Sequence, residues 1–457
     1  MTDTIAAIAS GMTASGIGII RISGPEAFLI SGKLFRFADS KITIENVKPN
    51  TVHYGFIRDG KATLDEALLL FLKAPHTYTA EDTVEIDCHG GPFVMRKILE
   101  LVLKNGARSA EPGEFTKRAF LNGRIDLSEA EAVMDVIEAK SDDALACSLR
   151  QLSGSVKNEI TDIRKAIISE VAHIEAALDD PEHMDLCGYP EKLDKVTDDL
   201  ILRLQKMLST FEEGKIIKEG LLTVILGKPN AGKSSILNLL AGEERAIVTD
   251  IEGTTRDTIE ETIRLNGIAL RVTDTAGIRK TGDKIEKIGV EKALETAERA
   301  DLILPVFDSS RPLDENDNKI LDFIRGRKAV VLLNKSDLPS VTAETDLRKK
   351  TEAPVILISA KENTGIEQLA DAVKELFFSG KLRINEETMI TSVRHKEAIA
   401  GAVESLRLVK TSIKNGMPED FFSIDLMDAA SSLGKITGED AADDLIDTIF
   451  SKFCMGK

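Results

Sequence analysis

Apolar positions along this chain fall into three textures. Over residues 1–119 they come in short, alternating runs. Residues 4–9, 17–22 and 83–88 read as strands, and 51–58 with 63–72 flank Asp59-Gly60 as a hairpin. Helices are predicted over 25–35, with proline at the first position, and over 93–104, behind Gly90-Gly91-Pro92. That mixture is an α+β domain. From Leu127 the period changes to three and four. Ser128-Glu129-Ala130-Glu131 predicts a capping box that opens a helix through Ala139. Leu145, Leu149, Leu152, Val156, Ile160, Ile163, Ile167, Val171, Ile174 and Leu178 then predict one stripe on a single very long helix, broken at Asp180-Pro181. Another helix carries Leu193, Val196, Leu200, Leu204, Met207 and Phe211 and ends at Gly214. The helical texture returns over 392–414, in a shorter run from Pro418, and over 440–453.

Between these helical blocks, residues 217–379 alternate strands with helices. Apolar strands are predicted over 221–226, 268–273, 302–307, 329–333 and 355–358, with helical patterns near 289–300, 314–325 and 366–377. Such alternation predicts a doubly wound parallel sheet with ligands at the strand C-terminal ends. The expected organisation is a multidomain α/β chain. An α+β domain over 1–119 precedes a central helical domain made of 120–216 and 380–457, into which the doubly wound P-loop domain, 217–379, is inserted.

Chemistry enters at the first strand of that inserted domain. Gly227-Lys228-Pro229-Asn230-Ala231-Gly232-Lys233-Ser234, followed by Ser235, fits the phosphate loop G-x-x-x-x-G-K-[ST] between a strand and a helix. Its glycines let backbone N–H groups cradle phosphate oxygens, Lys233 adds a positive charge, and the Ser234 hydroxyl suits Mg²⁺. Four more stretches follow in the order of a GTPase. In Gly253-Thr254-Thr255-Arg256-Asp257 the Thr255 hydroxyl can complete the Mg²⁺ shell. In Asp274-Thr275-Ala276-Gly277 the carboxylate can hold Mg²⁺ through water, and the Gly277 N–H can face the γ-phosphate. Asn334-Lys335-Ser336-Asp337 places two acceptor oxygens of Asp337 opposite the ring N–H and amino group of guanine, which adenine does not present. Ser359-Ala360-Lys361 can offer a backbone N–H to the guanine carbonyl. The expected activity is GTP hydrolysis. Ile278 follows Gly277 where Ras-like proteins carry a water-orienting glutamine, so another group must act. Asp283 and Glu286 are the available carboxylates, with Glu286 the candidate, and Asn230 can help hold a monovalent cation beside the phosphates.

Charge narrows the partners. With 59 Lys+Arg against 76 Asp+Glu the net charge is −17, so any RNA contact must use a local basic patch. Residues 1–119 carry 14 of each sign, so the excess acid lies downstream. No apolar run approaches a membrane span, and a cytoplasmic chain is expected. Cys88, Cys147, Cys187 and Cys454 are scattered without a C-x-x-C, which fits a reducing compartment. Cys454-Met455-Gly456-Lys457 has the frame of a lipidation box, but Gly456 is not aliphatic and Lys457 is an unsuitable last residue. Arg21 and Glu85 interrupt otherwise apolar strands, as an exposed face or a mutual salt bridge would explain.

GKPNAGKSS, GTTRD, DTAGI, NKSD and SAK between helical flanks, with RISGP and HGGP upstream and FCMGK at 453–457, resemble the MnmE (TrmE) family of tRNA-modifying GTPases over the whole chain. The resemblance implies a homodimer formed through the N-terminal domain. It further implies that, with an MnmG (GidA) flavoenzyme that alone carries FAD, the chain would install aminomethyl or carboxymethylaminomethyl groups on the wobble uridine of certain tRNAs, with a tetrahydrofolate derivative, in its 5-formyl or methylene form, as the expected one-carbon donor. The nucleotide contacts it implies include Thr249, Asp250, Ile251 and Glu252 besides the motifs above. Potassium ligands fall on Asn230, Thr249, Ile251 and Thr254, and the water-positioning role falls on Glu286. Folate contacts fall on Arg21, Glu85, Arg124 and Lys457, with Cys454 nearby. Met455 stands where the family's pentapeptide usually has isoleucine. Two rival readings are a ribosome-assembly or translation GTPase and a self-sufficient folate-dependent methyltransferase. The first should carry an RNA module such as a KH domain, the second a flavin or SAM fingerprint, and neither is evident.

Overall fold

Alternating side chains in the first third build a seven-stranded sheet. In the computed structural model the described residues are 3–180, 182, 183, 186–243, 260–273, 297–378 and 388–457. They form two compact units, one of 1–134, 151–190 and 404–457, the other of 135–150 and 191–403. The helices of 120–216 and 380–457 are thus divided between the two.

In the first unit, β1 (Ile5–Ile8), β2 (Ser15–Ser23), β3 (Phe35–Phe37), β4 (Thr51–Asp59), β5 (Ala62–Leu72), β6 (Thr83–Gly90) and β7 (Arg108–Ser109) lie in the order β3-β4-β5-β6-β2-β1-β7. Only β1 and β7 pair in parallel. One face of the sheet puts Ile20, Ile22, Leu69, Phe71, Val84 and Ile86 into a core with Ile30, Ile98 and Val102 of helices Ala27–Leu34 and Pro92–Lys104. The other face carries Arg21 directly opposite Glu85. Helix Glu114–Leu121 buries Arg118 completely, and its guanidinium donates to Glu81 at 3.1 Å, to Glu114 at 3.0 Å and to the Asp3 carbonyl at 2.9 Å. Both terminal nitrogens are met while the buried Nε has no partner among the described residues, and these bonds tie the β5–β6 loop to the helix. Helix Ser155–Asp179 packs along Asp420–Thr437, where Arg164 bonds the Ala430 carbonyl at 3.1 Å and Asp440 at 2.8 Å. Ile446, Phe450 and Phe453 close over Leu127, Ala130 and Met134.

In the second unit, β8 (Leu221–Leu226), β9 (Glu260–Leu265), β10 (Ile268–Thr273), β11 (Leu302–Asp308), β12 (Val331–Asn334) and β13 (Val355–Leu357) run β13-β12-β11-β8-β10-β9. All neighbours are parallel except β9 and β10. Leu221, Ile225 and Leu304 point into one core, Val224, Leu226 and Ile303 into another, so both faces are covered as a parallel sheet requires.

Several expected details are corrected. The capping box is formed by Asp126, not Ser128. The Asp126 carboxylate accepts from the Glu129 N–H at 2.8 Å, and Glu129 accepts from the Asp126 N–H at 2.7 Å. The long stripe is two helices, Asp142–Leu152 and Ser155–Asp179, because Gly154 takes φ 87° and interrupts the ladder. Gly214 does not end its helix. A short helix, Phe211–Glu219, follows Tyr189–Ser209, and a Cβ on Gly214 would stand 2.3 Å from the Ile390 carbonyl. The run from Pro418 is, as expected, a helix shorter than the one before it: Asp420–Thr437, 18 residues against the 22 of Val393–Lys414. Strand β9 went unnamed, although Asn266-Gly267, at φ 45° and 88°, carries the hairpin signal.

Candidate functional site

The phosphate loop leaves β8 through Gly227 at φ 152°, where a Cβ would lie 2.6 Å from the Val306 carbonyl of β11. Asn230 at φ 62° and Gly232 at φ 99° take the left-handed backbone with which a phosphate loop can form an anion cradle, directly before the N-terminus of helix Lys233–Glu243. Lys233 is largely buried. Its ammonium donates to the carbonyls of Gly227 at 2.7 Å and Lys228 at 2.8 Å, and burial pushes its pKa down. A desolvated cation held by neutral carbonyls gains strongly from an arriving phosphate. Lys228 turns to Asp314 at 2.8 Å and Asp317 at 2.7 Å instead.

The base side is built from the ends of β12 and β13. Buried Asn334 donates to the Ala231 carbonyl at 2.9 Å and accepts from the Ala360 N–H at 3.3 Å, so one amide joins the phosphate loop to the Ser359-Ala360-Lys361 turn. Gly232 is required here, since a Cβ would come within 2.1 Å of the Asn334 amide nitrogen. Lys335, at φ 63°, pairs with Asp308 at 2.5 Å. Burial alone would raise the Asp308 carboxyl, but hydrogen bonds from Lys335 and Ser310 hold it below the usual range. The Ser359 hydroxyl donates to Asp337 Oδ1 at 2.7 Å. Asp337 is thereby oriented while its other oxygen remains available for a ligand N–H. Asp308 was missed from sequence; the only signal was its place at the C-terminal end of β11, opposite Asn334. Thr249, Asp250, Ile251, Glu252, Gly253, Thr254, Thr255, Asp274, Thr275, Ala276, Gly277 and Glu286 lie outside the described residues.

A second constellation lies in the first unit. The Arg21 guanidinium meets Glu85 at 2.7 Å, the mutual salt bridge that the strand pattern allowed, and also donates to the Gly456 carbonyl at 3.3 Å. Arg124 donates to the Tyr78 carbonyl at 2.9 Å, and its guanidinium lies 4.9 Å from the Tyr78 ring centroid. Arg21 lies 5.4 Å from the same ring. Lys457 is half-buried, and burial followed by the Arg21 charge lowers its pKa, with Glu85 opposing. Positions 21, 85, 124 and 457 are therefore brought together, with Tyr78, which no local pattern marked. Cys454 is exposed, while burial pushes the Cys88 and Cys147 thiols up to about 11. Residues 453–457 are seated by main-chain bonds from Gly113 to Cys454 at 3.5 Å and from Phe115 to Lys457 at 3.3 Å. Gly456 takes φ 88°, and a Cβ there would stand 2.3 Å from the Ile8 carbonyl. Gly456→Ala is expected to unseat the segment at a cost of roughly 1–3 kcal/mol. Faster cleavage near residue 450 in limited proteolysis would check it; an unchanged digest would refute it.

A family model described as the MnmE helical domain matches residues 127–454, and one described as the GTP-binding protein TrmE N-terminus matches 4–124. A protein of Lachnoclostridium phytofermentans named tRNA modification GTPase MnmE is 55% identical over 456 residues, covering all of both chains. Proteins of the same name from Acetivibrio thermocellus and Clostridioides difficile are each 47% identical over all of this chain and 99% of their own. Among solved structures, the G domain of the T. maritima FeoB iron transporter is 25% identical over 34% of this chain and 98% of its own, at a TM-score of 0.26, which carries no argument.

Proposed function

This chain belongs to the MnmE family of tRNA modification GTPases, and on that footing we propose a specific reaction for it. Its GTP hydrolysis is stimulated by potassium. With an MnmG/GidA-like flavoprotein it installs aminomethyl or carboxymethylaminomethyl groups on the wobble uridine of certain tRNAs. The observation that carries this beyond GTP hydrolysis is the meeting of Arg21 and Arg124 at the Tyr78 ring, with Glu85 paired to Arg21 and the Lys457 charge felt by that pair. Three cations suit the glutamyl carboxylates of a folate, and Glu85 suits the amino group and ring N–H of a pterin. A tetrahydrofolate derivative bound there supplies the one-carbon unit; FAD belongs to the partner.

In the nucleotide site, Lys233 and the loop N–H groups hold the phosphates, Asp337 selects guanine, and Ser234 with Thr255 holds Mg²⁺. Asn230, with carbonyls of Thr249, Ile251 and Thr254, would hold K⁺, and Glu286 would position water. Its left-handed backbone puts Asn230 at the exposed tip of the loop, a suitable place for a cation shared with the phosphates. The setting proposed is the cytoplasm, and among the described residues no helix is long and apolar enough to cross a membrane.

Activity is proposed to need a homodimer formed through the N-terminal domain. The β4–β5 ribbon supports this, for its outer face leaves Val52 55%, Tyr54 47% and Leu68 42% exposed, with Tyr54 and Leu68 directly opposed. Val52→Asp is expected to shift the dimer toward monomer by roughly tenfold or more in dissociation constant. Sedimentation velocity checks it, and an unchanged dimer would remove this face from the interface.

The reaction is tested by measuring GTP turnover against protein concentration in potassium and in sodium, with and without 5-formyltetrahydrofolate. Turnover should rise with concentration in potassium alone. Mass spectrometry of wobble uridine from cells lacking the gene should show the unmodified base. Equal rates in both salts together with intact modification would defeat the reading.

A further inference from the structure

We propose that Tyr78 is a positioning residue for the Arg21–Glu85–Lys457 constellation, holding Arg124 oriented and electrically uncompensated for an anionic ligand. The proposal rests on the folate reading above and deepens it by naming the residue that presents the ligand-facing cation.

Arg21 and Arg124 are held in chemically different ways. Arg21 is half-buried and neutralised by Glu85 at 2.7 Å. Arg124 follows the turn at Asn122-Gly123, is exposed, and forms no salt bridge among the described residues. Both of its holds come from Tyr78. One is the main-chain carbonyl, which accepts at 2.9 Å; the other is the ring, 4.9 Å from the guanidinium carbon. A carbonyl and a π-face are neutral partners. They restrict the long side chain without cancelling its charge, which is what capture of a carboxylate requires.

Tyr78 can serve as a clamp because it is itself fixed. Its hydroxyl bonds Thr116 Oγ1 at 2.9 Å. The next residue is secured twice, its carbonyl accepting from Asn122 Nδ2 at 2.7 Å and its hydroxyl meeting Ser23 Oγ at 2.7 Å. Ser23 also donates to Glu81 at 2.8 Å, and Glu81 is held by the buried Arg118. The loop between β5 and β6 is thus anchored at the sheet and at helix Glu114–Leu121, with the ring 5.4 Å from the Arg21 guanidinium and 4.9 Å from that of Arg124. No other aromatic ring among the described residues faces both arginines.

The test is a double-mutant cycle on the full chain, read by calorimetric titration with 5-formyltetrahydrofolate. Tyr78→Leu keeps an apolar side chain but loses the π-face, and should weaken binding about five- to tenfold. Tyr78→Phe keeps the ring and should stay within about twofold of the parent. On an Arg124→Ala background, Tyr78→Leu should cost less than about another twofold, since its effect passes through the missing arginine. Full affinity in Tyr78→Leu, or losses that multiply in the double variant, would overturn the proposal while leaving the folate reading intact. Failure of the unaltered chain to bind would overturn the folate reading and the proposal together.

Discussion

Asp337→Asn is expected to lower GTP affinity roughly 10²–10⁴-fold while improving binding of XTP. The carboxylate offers acceptors to both the ring N–H and the amino group of guanine. Ser359 donates to Oδ1 at 2.7 Å, and an asparagine oxygen would take that bond. Its NH₂ would then face the guanine amino group, donor against donor. Xanthine carries a carbonyl in that place, so the mismatch becomes a match. Equilibrium titration with fluorescent GTP and XTP gives the ratio directly, and a variant that still prefers GTP would refute the role given to Asp337.

Lys233→Met is expected to cut turnover at saturating GTP roughly 10²–10³-fold, the loss typical of one preorganised charge donor. The ammonium sits between the Gly227 and Lys228 carbonyls, and burial lowers its pKa. Desolvation has therefore already been met by folding, and the charge is ready for negative charge developing on phosphate. Methionine preserves the length of the side chain and leaves two carbonyls without their donor, so the empty loop should also loosen. Single-turnover hydrolysis with excess enzyme separates the chemical step from binding; a normal rate there would show the charge acting elsewhere.

What was legible beforehand follows from the range of the forces involved. The phosphate loop is contiguous, and its strand and helix flanks lie within about ten residues on either side, so local spacing suffices to place it. The doubly wound parallel sheet of the second unit follows from alternation of strands and helices, whereas its strand order and its antiparallel edge strand β9 do not. The break at Gly154 was hidden because Leu152 and Val156 keep the four-residue step across it, and only the backbone at φ 87° shows the interruption. The capping box slipped by two positions because Asp126 and Ser128 each stand three residues before a glutamate. Apart from the Arg21–Glu85 salt bridge, which two interrupted apolar strands allowed, contacts between distant residues left little pattern. Asp308 with Lys335, Tyr78 with Arg124, and Gly456 with Ile8 join segments whose meeting depends on the tertiary fold. For the proposed folate contacts, family resemblance supplied positions, whereas the Tyr78 ring beside both arginines emerged only from the fold.

The Asn334 side chain has a kinetic corollary. Because a single amide of the protein itself fastens Ala231 to Ala360, the two ends of the pocket need not find each other during capture. Their ordering entropy is settled when the chain folds. Association should then approach the rate set by diffusion and orientation, and differences in affinity between nucleotides should show themselves mainly in residence time.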